Sequence, residues 1–186
     1  GPDGDLVVDN SSPTLVVDSF TSNNAVNANR AKNGDTITLS FRTDNGEALA
    51  LPTLAQPVVN RFPIVRFYLG NGGAFVQSSN SNNGAVTLST ADNINITATY
   101  TLDGNTGQNG QAADAISYQI LCDQGGNANR VKDTAMNNVT GVALTNSTIL
   151  LDTTPATIPT PGAITIVSDN ATNNPVSYTH LTLPTN

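Results

Sequence analysis

An all-β antiparallel sandwich of seven or eight strands with long loop insertions is the fold that this sequence predicts, and three observations predict it. The first is composition. Of 186 residues, 25 are Asn and 25 are Thr, while only 11% are charged, against about a quarter in ordinary soluble domains. Asn, Thr, Gly and Pro are poor helix formers, whereas Thr, Val and Ile suit a pleated, half-buried surface. The second is the period-two alternation of apolar with small polar residues. The third is the Gly- and Asn-rich punctuation between the alternating segments. The length admits one ordinary domain with a sizeable core and a remnant of another.

Residues 16–21 open the series. The turn Lys32-Asn33-Gly34-Asp35 leads into residues 36–41, where Ile37, Leu39 and Phe41 alternate with Thr and Ser. Residues 64–69 end on Gly70-Asn71-Gly72-Gly73, strong hairpin chemistry, with Ala74-Phe75-Val76 as the returning partner. Residues 86–88, 94–102, 116–122 and 142–151 complete the set. Alternation puts Ile37, Leu39, Phe41, Val65, Phe67, Ile96, Tyr100, Tyr118, Ile120 and Leu150 on inner faces.

Charge and cysteine usage exclude several function classes. With 14 acidic residues against 7 Lys and Arg and a pI near 4.2, no basic patch is available to neutralise phosphates, so neither nucleic acid nor an anionic membrane is an expected partner. Apolar runs such as Ile149-Leu150-Leu151 fall far short of the roughly 20 residues that a membrane-spanning helix needs. The single Cys122 rules out an internal disulfide; it alternates with Ile116, Tyr118 and Ile120 and reads as a small core hydrophobe. Gly1-Pro2 reads as the scar of tag removal.

The phrase Leu6-Val7-Val8-Asp9-Asn10-Ser11-Ser12-Pro13-Thr14 returns as Ile149-Leu150-Leu151-Asp152-Thr153-Thr154-Pro155-Ala156-Thr157. A second phrase, residues 21–27, returns at 167–173. The Asp pair is 143 residues apart and the Ser22/Ser168 pair 146 apart, which indicates a tandem array with a slightly longer second linker. On this partition residues 1–9 are the tag scar and last strand of a preceding repeat, 10–152 a complete unit, and 153–175 a linker and the first strand of the next. Residues 176–186 resemble a translated sequencing adapter, Val176-Ser177-Tyr178-Thr179-His180-Leu181-Thr182-Leu183-Pro184-Thr185, which implies a non-native tail and removes His180, the one histidine, from consideration as base or ligand. The remnant from Pro161 onward lacks neighbours with which to bury a face, so it is expected to add as a strand to an exposed sheet edge.

Ser22-Asn23-Asn24-Ala25, Ala31-Lys32-Asn33-Gly34-Asp35-Thr36-Ile37-Thr38-Leu39-Ser40-Phe41, Thr97-Ala98-Thr99-Tyr100-Thr101-Leu102, Asp123-Gln124-Gly125-Gly126-Asn127 and Asp152-Thr153-Thr154-Pro155 together resemble the landmarks of bacterial immunoglobulin-like repeats, in that family's order. The resemblance narrows the fold to an immunoglobulin-like antiparallel β-sandwich. It implies a structural spacer repeat of a multi-repeat cell-surface or secreted adhesin, extracellular, with neighbouring repeats as partners and no enzymatic activity. This unit is longer than the family's usual one, with extra residues at 48–62, 77–93 and 103–114, and Gly125 stands where Ala is common.

The insertions carry the competing reading, a carbohydrate- or protein-binding module that uses 48–62 and 77–93 to reach a surface glycan or protein. The apolar segment 48–62 either covers a sheet edge or faces a partner. Arg61, Arg66, Phe62, Phe67 and Tyr68 are the candidate sugar-contacting set. The resemblance also implies calcium at junctions and loops. Carboxylate and amide oxygens on Gly-rich loops suit a hard cation that takes six to eight oxygens, and Asp9, Asp103, Asn105, Asp114, Asp123 and Asp152 are the candidate ligands. An internal isopeptide crosslink needs a buried Lys, and Lys32 and Lys132 both sit beside turns. A hydrolase would have to pair Glu47 with an Asp.

Overall fold

The structure is a computed structural model; it describes residues 8–51, 62–70, 74–78, 85–104, 114–123 and 130–152. Nine strands occur among them: β1 (Leu15–Ser22), β2 (Arg30–Ala31), β3 (Thr36–Thr43), β4 (Ile64–Tyr68), β5 (Phe75–Gln77), β6 (Thr87–Thr90), β7 (Asn95–Thr101), β8 (Asp114–Leu121) and β9 (Val142–Leu151). They form two sheets, in the orders β1-β3-β7-β6 and β2-β9-β8-β4-β5. No helix occurs among the described residues. The all-β, two-sheet expectation therefore holds, with one strand more than predicted: β2 pairs in parallel with the far end of β9.

Alternation does what the sequence requires of it. In β3 Ile37, Leu39, Phe41 and Thr43 are buried and the residues between them are not. In β7 Ile96, Ala98 and Tyr100 play the same part. The opposing sheet supplies Val65, Phe67, Ile116, Ile120, Ile149 and Leu151. Phe20 of the first sheet meets Phe67 and Tyr118 of the second, with ring centroids 5.5 and 5.4 Å apart, so the two inner faces close on one core.

Bulges correct the phase where the sequence does not alternate. In β1, Val17 lies opposite Phe41 but Ser19 lies opposite Ser40, so Asp18 is an extra residue. Beyond it the inward positions switch from Leu15 and Val17 to Phe20, which faces Leu39. The bulge aims Asp18 at Arg42, whose Nε donates to Asp18 Oδ1 at 3.0 Å.

The expected core requires two corrections. Tyr118 packs against the core but is only half-buried. Leu150 is half-buried and belongs to the other face: Ile149 and Leu151 are the buried pair. Three consecutive apolar residues offer no polar marker for the phase, which is set instead by pairing with β2 and β8. The segment that begins the 48–62 insertion is also core, since Leu49 and Leu51 are buried, and Phe62 at its end packs against the core. Residues 52–61, 79–84 and 105–113 of the three insertions, the linker and strand at 153–175 and the tail at 176–186 lie outside the described residues, as does the expected strand addition.

Antiparallel pairing sorts the loops to two ends. The starts of β1, β4, β7 and β9 and the ends of β3, β6 and β8 share one end with the incoming chain at Asp9. A bridge between Thr14 and Thr140 ties the two sheets there. The outgoing chain at Asp152 leaves from the opposite end, following Leu151.

The corrected phase of β9 predicts that Ile149→Ala costs about 2–5 kcal/mol and Leu150→Ala no more than about 1 kcal/mol. Denaturant titration of the two variants measures both, and equal losses would refute the assignment.

Candidate functional site

The strands leave three chain segments converging at the incoming end. After β3 the turn Asp44-Asn45-Gly46-Glu47 reverses the chain with Gly46 at φ 76°, a left-handed conformation suited to glycine. Asn45 Oδ1 accepts the Glu47 N–H at 3.1 Å, and the buried Thr43 hydroxyl donates to the Glu47 carbonyl at 2.8 Å. Beyond Glu47 the chain zips to the β8–β9 connection: Ala50 N–H donates to Lys132 O at 2.8 Å and Thr134 N–H to Ala48 O at 3.2 Å.

Asn137 organises the third segment. Its backbone N–H donates to Asp133 Oδ1 at 2.8 Å, and its side-chain amide donates both to Asp133 Oδ2 at 3.1 Å and to the Asp9 carbonyl at 3.3 Å. Asp9 also turns its own chain, accepting the Ser11 N–H at 2.9 Å.

Three carboxylates are the result. Asp9, Glu47 and Asp133 each offer an oxygen, and these oxygens lie within 4.8 Å of one another. Asp133 is 1% exposed. None of the three joins an ion pair among the described residues. Glu47 Oε2 is sealed from solvent without a hydrogen-bond partner. Like charges at such a separation repel by about 3 kcal/mol per pair at an effective dielectric of about 20, a repulsion that a bound cation would relieve. A hard divalent ion fits the all-oxygen donor set, and the orphaned Glu47 oxygen is the observation that carries the fit.

The sequence-predicted ligands do not share a site. Asp9 belongs to the cluster. Asp123 lies at the same end but pairs with Arg130 at 2.8 Å. Asp103, Asp114 and Asp152 lie at the opposite end, where Asp103 accepts the Tyr100 hydroxyl at 3.1 Å and Asp152 pairs with Arg30 at 3.2 Å. Asn105 lies outside the described residues. Glu47 and Asp133 are the members of the cluster that sequence reasoning missed. Two signals were present: Glu47 is the only Glu in the chain, placed just after an Asn-Gly turn, and Asp133 is followed four residues on by Asn137.

Two further carboxylates are built for structure. Burial works to raise the Asp35 pKa, yet the Lys32 backbone N–H at 2.8 Å, the Asn24 amide at 2.7 Å and the Lys32 charge hold it below 3.8. Asn24, Lys32 and Asp35 are the residue types of an isopeptide crosslink, but the Lys32 side chain is 62% exposed and Asp35 is kept ionised. A charged amine beside a carboxylate makes an ion pair, whereas amide formation needs a neutral amine and a protonated acid. Lys132 donates to Met136 O and Asn138 Oδ1 at 3.0 and 3.3 Å. Asp92 is pushed down to about 2 by the Asn95 backbone N–H, the Asn95 amide and the Ile94 N–H. Burial pushes the Cys122 thiol up to about 12, which leaves it an inert core residue.

A carboxylate with a depressed folded-state pKa contributes stability that is full above its unfolded value, near 3.8, and is lost as pH falls through the folded value. Asp35→Asn is therefore expected to cost about 1–3 kcal/mol at pH 7, with the gap to the parent protein closing below about pH 3.8. Urea melts across pH 2–7 measure this; a pH-independent gap would contradict it. No protein-family model, no curated protein and no solved structure matches the chain.

Proposed function

We propose that the chain is a non-catalytic spacer repeat, one of a tandem series in an extracellular bacterial surface or secreted adhesin, stiffened at its incoming end by a divalent cation of the calcium type. The observation that carries this reading is where the repeated phrase falls. One copy, ending the preceding repeat at Asp9, enters the sandwich at one end. Its counterpart at Asp152 leaves from the other. Units connected in this way stack head to tail into a rod.

The strand orders favour an immunoglobulin-like topology within that reading. In such sandwiches the first, second, fifth and fourth strands form one sheet and the third, sixth and seventh the other. The series β1-β3-β7-β6 against β9-β8-β4 follows that plan, with β5 extending one edge and β2 the other.

Asp9, Glu47 and Asp133 are the residues that would hold the ion, which would neutralise their mutual repulsion and tie the incoming linker to two loops of the sandwich. Asp152 occupies the Asp9 position of the next phrase. In an array that carboxylate would have to exchange its pairing with Arg30 for the loops of the successor.

Calcium at a few millimolar, against affinities of about 10⁻⁴ to 10⁻³ M for extracellular modules, is expected to stabilise the chain by about 1–2 kcal/mol, a rise of about 3–7 °C in melting temperature. Glu47→Gln abolishes the increment and, by removing one like charge, stabilises the metal-free protein; Asp123→Asn leaves the increment intact. Melting curves that coincide in calcium and chelator would dismiss the cation. The rod is tested separately by X-ray scattering from residues 6–152 followed directly by a second copy of residues 10–152. A maximum dimension near twice that of one copy is expected, and a compact particle of two sandwiches side by side would dismiss it.

A further inference from the structure

An Asn-Gly pair carries a latent reaction. The amide nitrogen that follows the Asn can attack the side-chain carbonyl carbon as a nucleophile, and glycine, having no Cβ, leaves that nitrogen unscreened. Two such pairs lie among the described residues, Asn33-Gly34 and Asn45-Gly46; those at 71–72, 83–84 and 109–110 lie outside them. Asn33 and Asn45 are both exposed, and their glycines have φ of 89° and 76°. Exposure and conformation therefore do not separate the two.

Their hydrogen bonds do. Gly34 N–H donates to the Leu102 carbonyl at 2.8 Å, which commits its nitrogen to a bond between the turn and the chain just beyond β7. The Asn33 side chain rests against Gly104, its Nδ2 3.2 Å from where a Cβ would stand at that glycine. Nucleophile and electrophile are both held elsewhere.

At the second pair the reacting groups are free and are brought together. Among the described residues no hydrogen bond occupies the Gly46 N–H or the Asn45 Nδ2. A Cβ at Gly46 would meet nothing within 4 Å, so ring closure and the entry of water are unobstructed. The flanks are pinned: Asp44 N–H donates to Thr14 O and Asp44 Oδ1 accepts the Thr14 N–H, both at 2.9 Å, while the Thr43 hydroxyl holds the Glu47 carbonyl. Asn45 Oδ1 accepts the Glu47 N–H at 3.1 Å. This Asx turn folds the side chain back over the Asn45–Gly46 peptide and brings Cγ toward the Gly46 nitrogen. The same Glu47 N–H stands where negative charge develops on Oδ1 during attack.

We propose that Asn45 is a site of spontaneous modification, deamidation through a succinimide. Hydroxide takes the Gly46 N–H proton and the nitrogen bonds to Asn45 Cγ. The oxyanion at Oδ1 collapses as the Cγ–Nδ2 bond breaks, and Nδ2 takes a proton from water and leaves as ammonia. Water then opens the ring. Cleavage of the new N–Cγ bond gives aspartate; cleavage between the Gly46 nitrogen and the Asn45 main-chain carbonyl carbon gives isoaspartate, in which the backbone runs through the side chain. The sum is gain of water and loss of ammonia. Either product places a new carboxylate two residues before Glu47, and neither step needs a cation or a neighbouring repeat.

The test is peptide mapping by mass spectrometry of the full chain aged near neutral pH, folded and in guanidinium chloride, with Asn45→Asp as the standard for the aspartyl product. In denaturant the two pairs differ only in their flanking residues. Folding is expected to raise the ratio of the Asn45 rate to the Asn33 rate about tenfold, because Asn33 reacts only when the Gly34 hydrogen bond opens. Both aspartyl and isoaspartyl peptides are expected at position 45. The proposal is overturned if the ratio is unchanged or falls on folding, or if Asn45 stays intact in the folded chain over a period in which the unfolded chain loses it.

Discussion

The closing of two alternating faces on one core is the constraint on which everything else in this molecule depends. There is no disulfide to staple the chain, and the four ion pairs among the described residues involve side chains that are exposed at one or both partners, where such pairs are worth about 0–1 kcal/mol. Burial of Phe41, Phe67, Leu39, Ile37, Ile120 and Ile149 must supply the stability, at roughly 1.5–3 kcal/mol for each large side chain. That requirement explains the bulge at Asp18. Without the extra residue Phe20 would point to solvent, and the contact that joins β1 to Phe67 and Tyr118 would be lost. It also explains why the first residues of the long insertion are buried: Leu49 and Leu51 belong to the same core.

Close packing also fixes how the backbone approaches itself. A side chain at Gly141 would place its Cβ 2.1 Å from the Ile120 carbonyl oxygen, so β9 begins its pairing with β8 only because that residue is glycine. The neighbouring Thr140 exchanges hydrogen bonds with Pro13 and Leu15, which locks the incoming linker to the same point. Core, linker and the Asn137 turn are therefore one mechanical unit. A change in the charge of the Asp9, Glu47 and Asp133 cluster acts on the linker directly, not through the sandwich.

Much of the fold was legible in the sequence because the two signals, alternation and turn chemistry, coincide. Residues 36–41 and 94–102 alternate cleanly between Asn- and Gly-containing turns, and both are strands. Legibility fails where one signal is missing. Arg30 and Ala31 carry no local pattern, since β2 exists through pairing with residues some 120 positions away. Leu150 sits in an apolar run with no polar residue to mark its face. For the candidate site, acidic residues were expected at the ends of the unit, and Asp9 is one of the three carboxylates that cluster. Glu47 and Asp133 were not expected, because they are 86 residues apart and only the zipper between residues 48–50 and 132–134 brings them together. The opposite error came from reading every loop Asp as available: Asp123 and Asp152 are already paired with Arg130 and Arg30.

The scarcity of charge has a consequence for how the surface is organised. With amides and hydroxyls carrying solubility, most of the outer faces are ladders of neutral groups: Ser19, Ser40, Thr97 and Ser89 cross the four-stranded sheet in one row and Thr21, Thr38, Thr99 and Thr87 in the next. Such groups hydrogen-bond to water with little dependence on salt or on pH above the carboxylate range. Sensitivity to ions is thereby concentrated where carboxylates lack a basic partner, and among the described residues the three-carboxylate cluster beside the incoming chain is such a place. A sandwich whose body is indifferent to its ionic surroundings, with one end that is not, confines the response of the chain to that end.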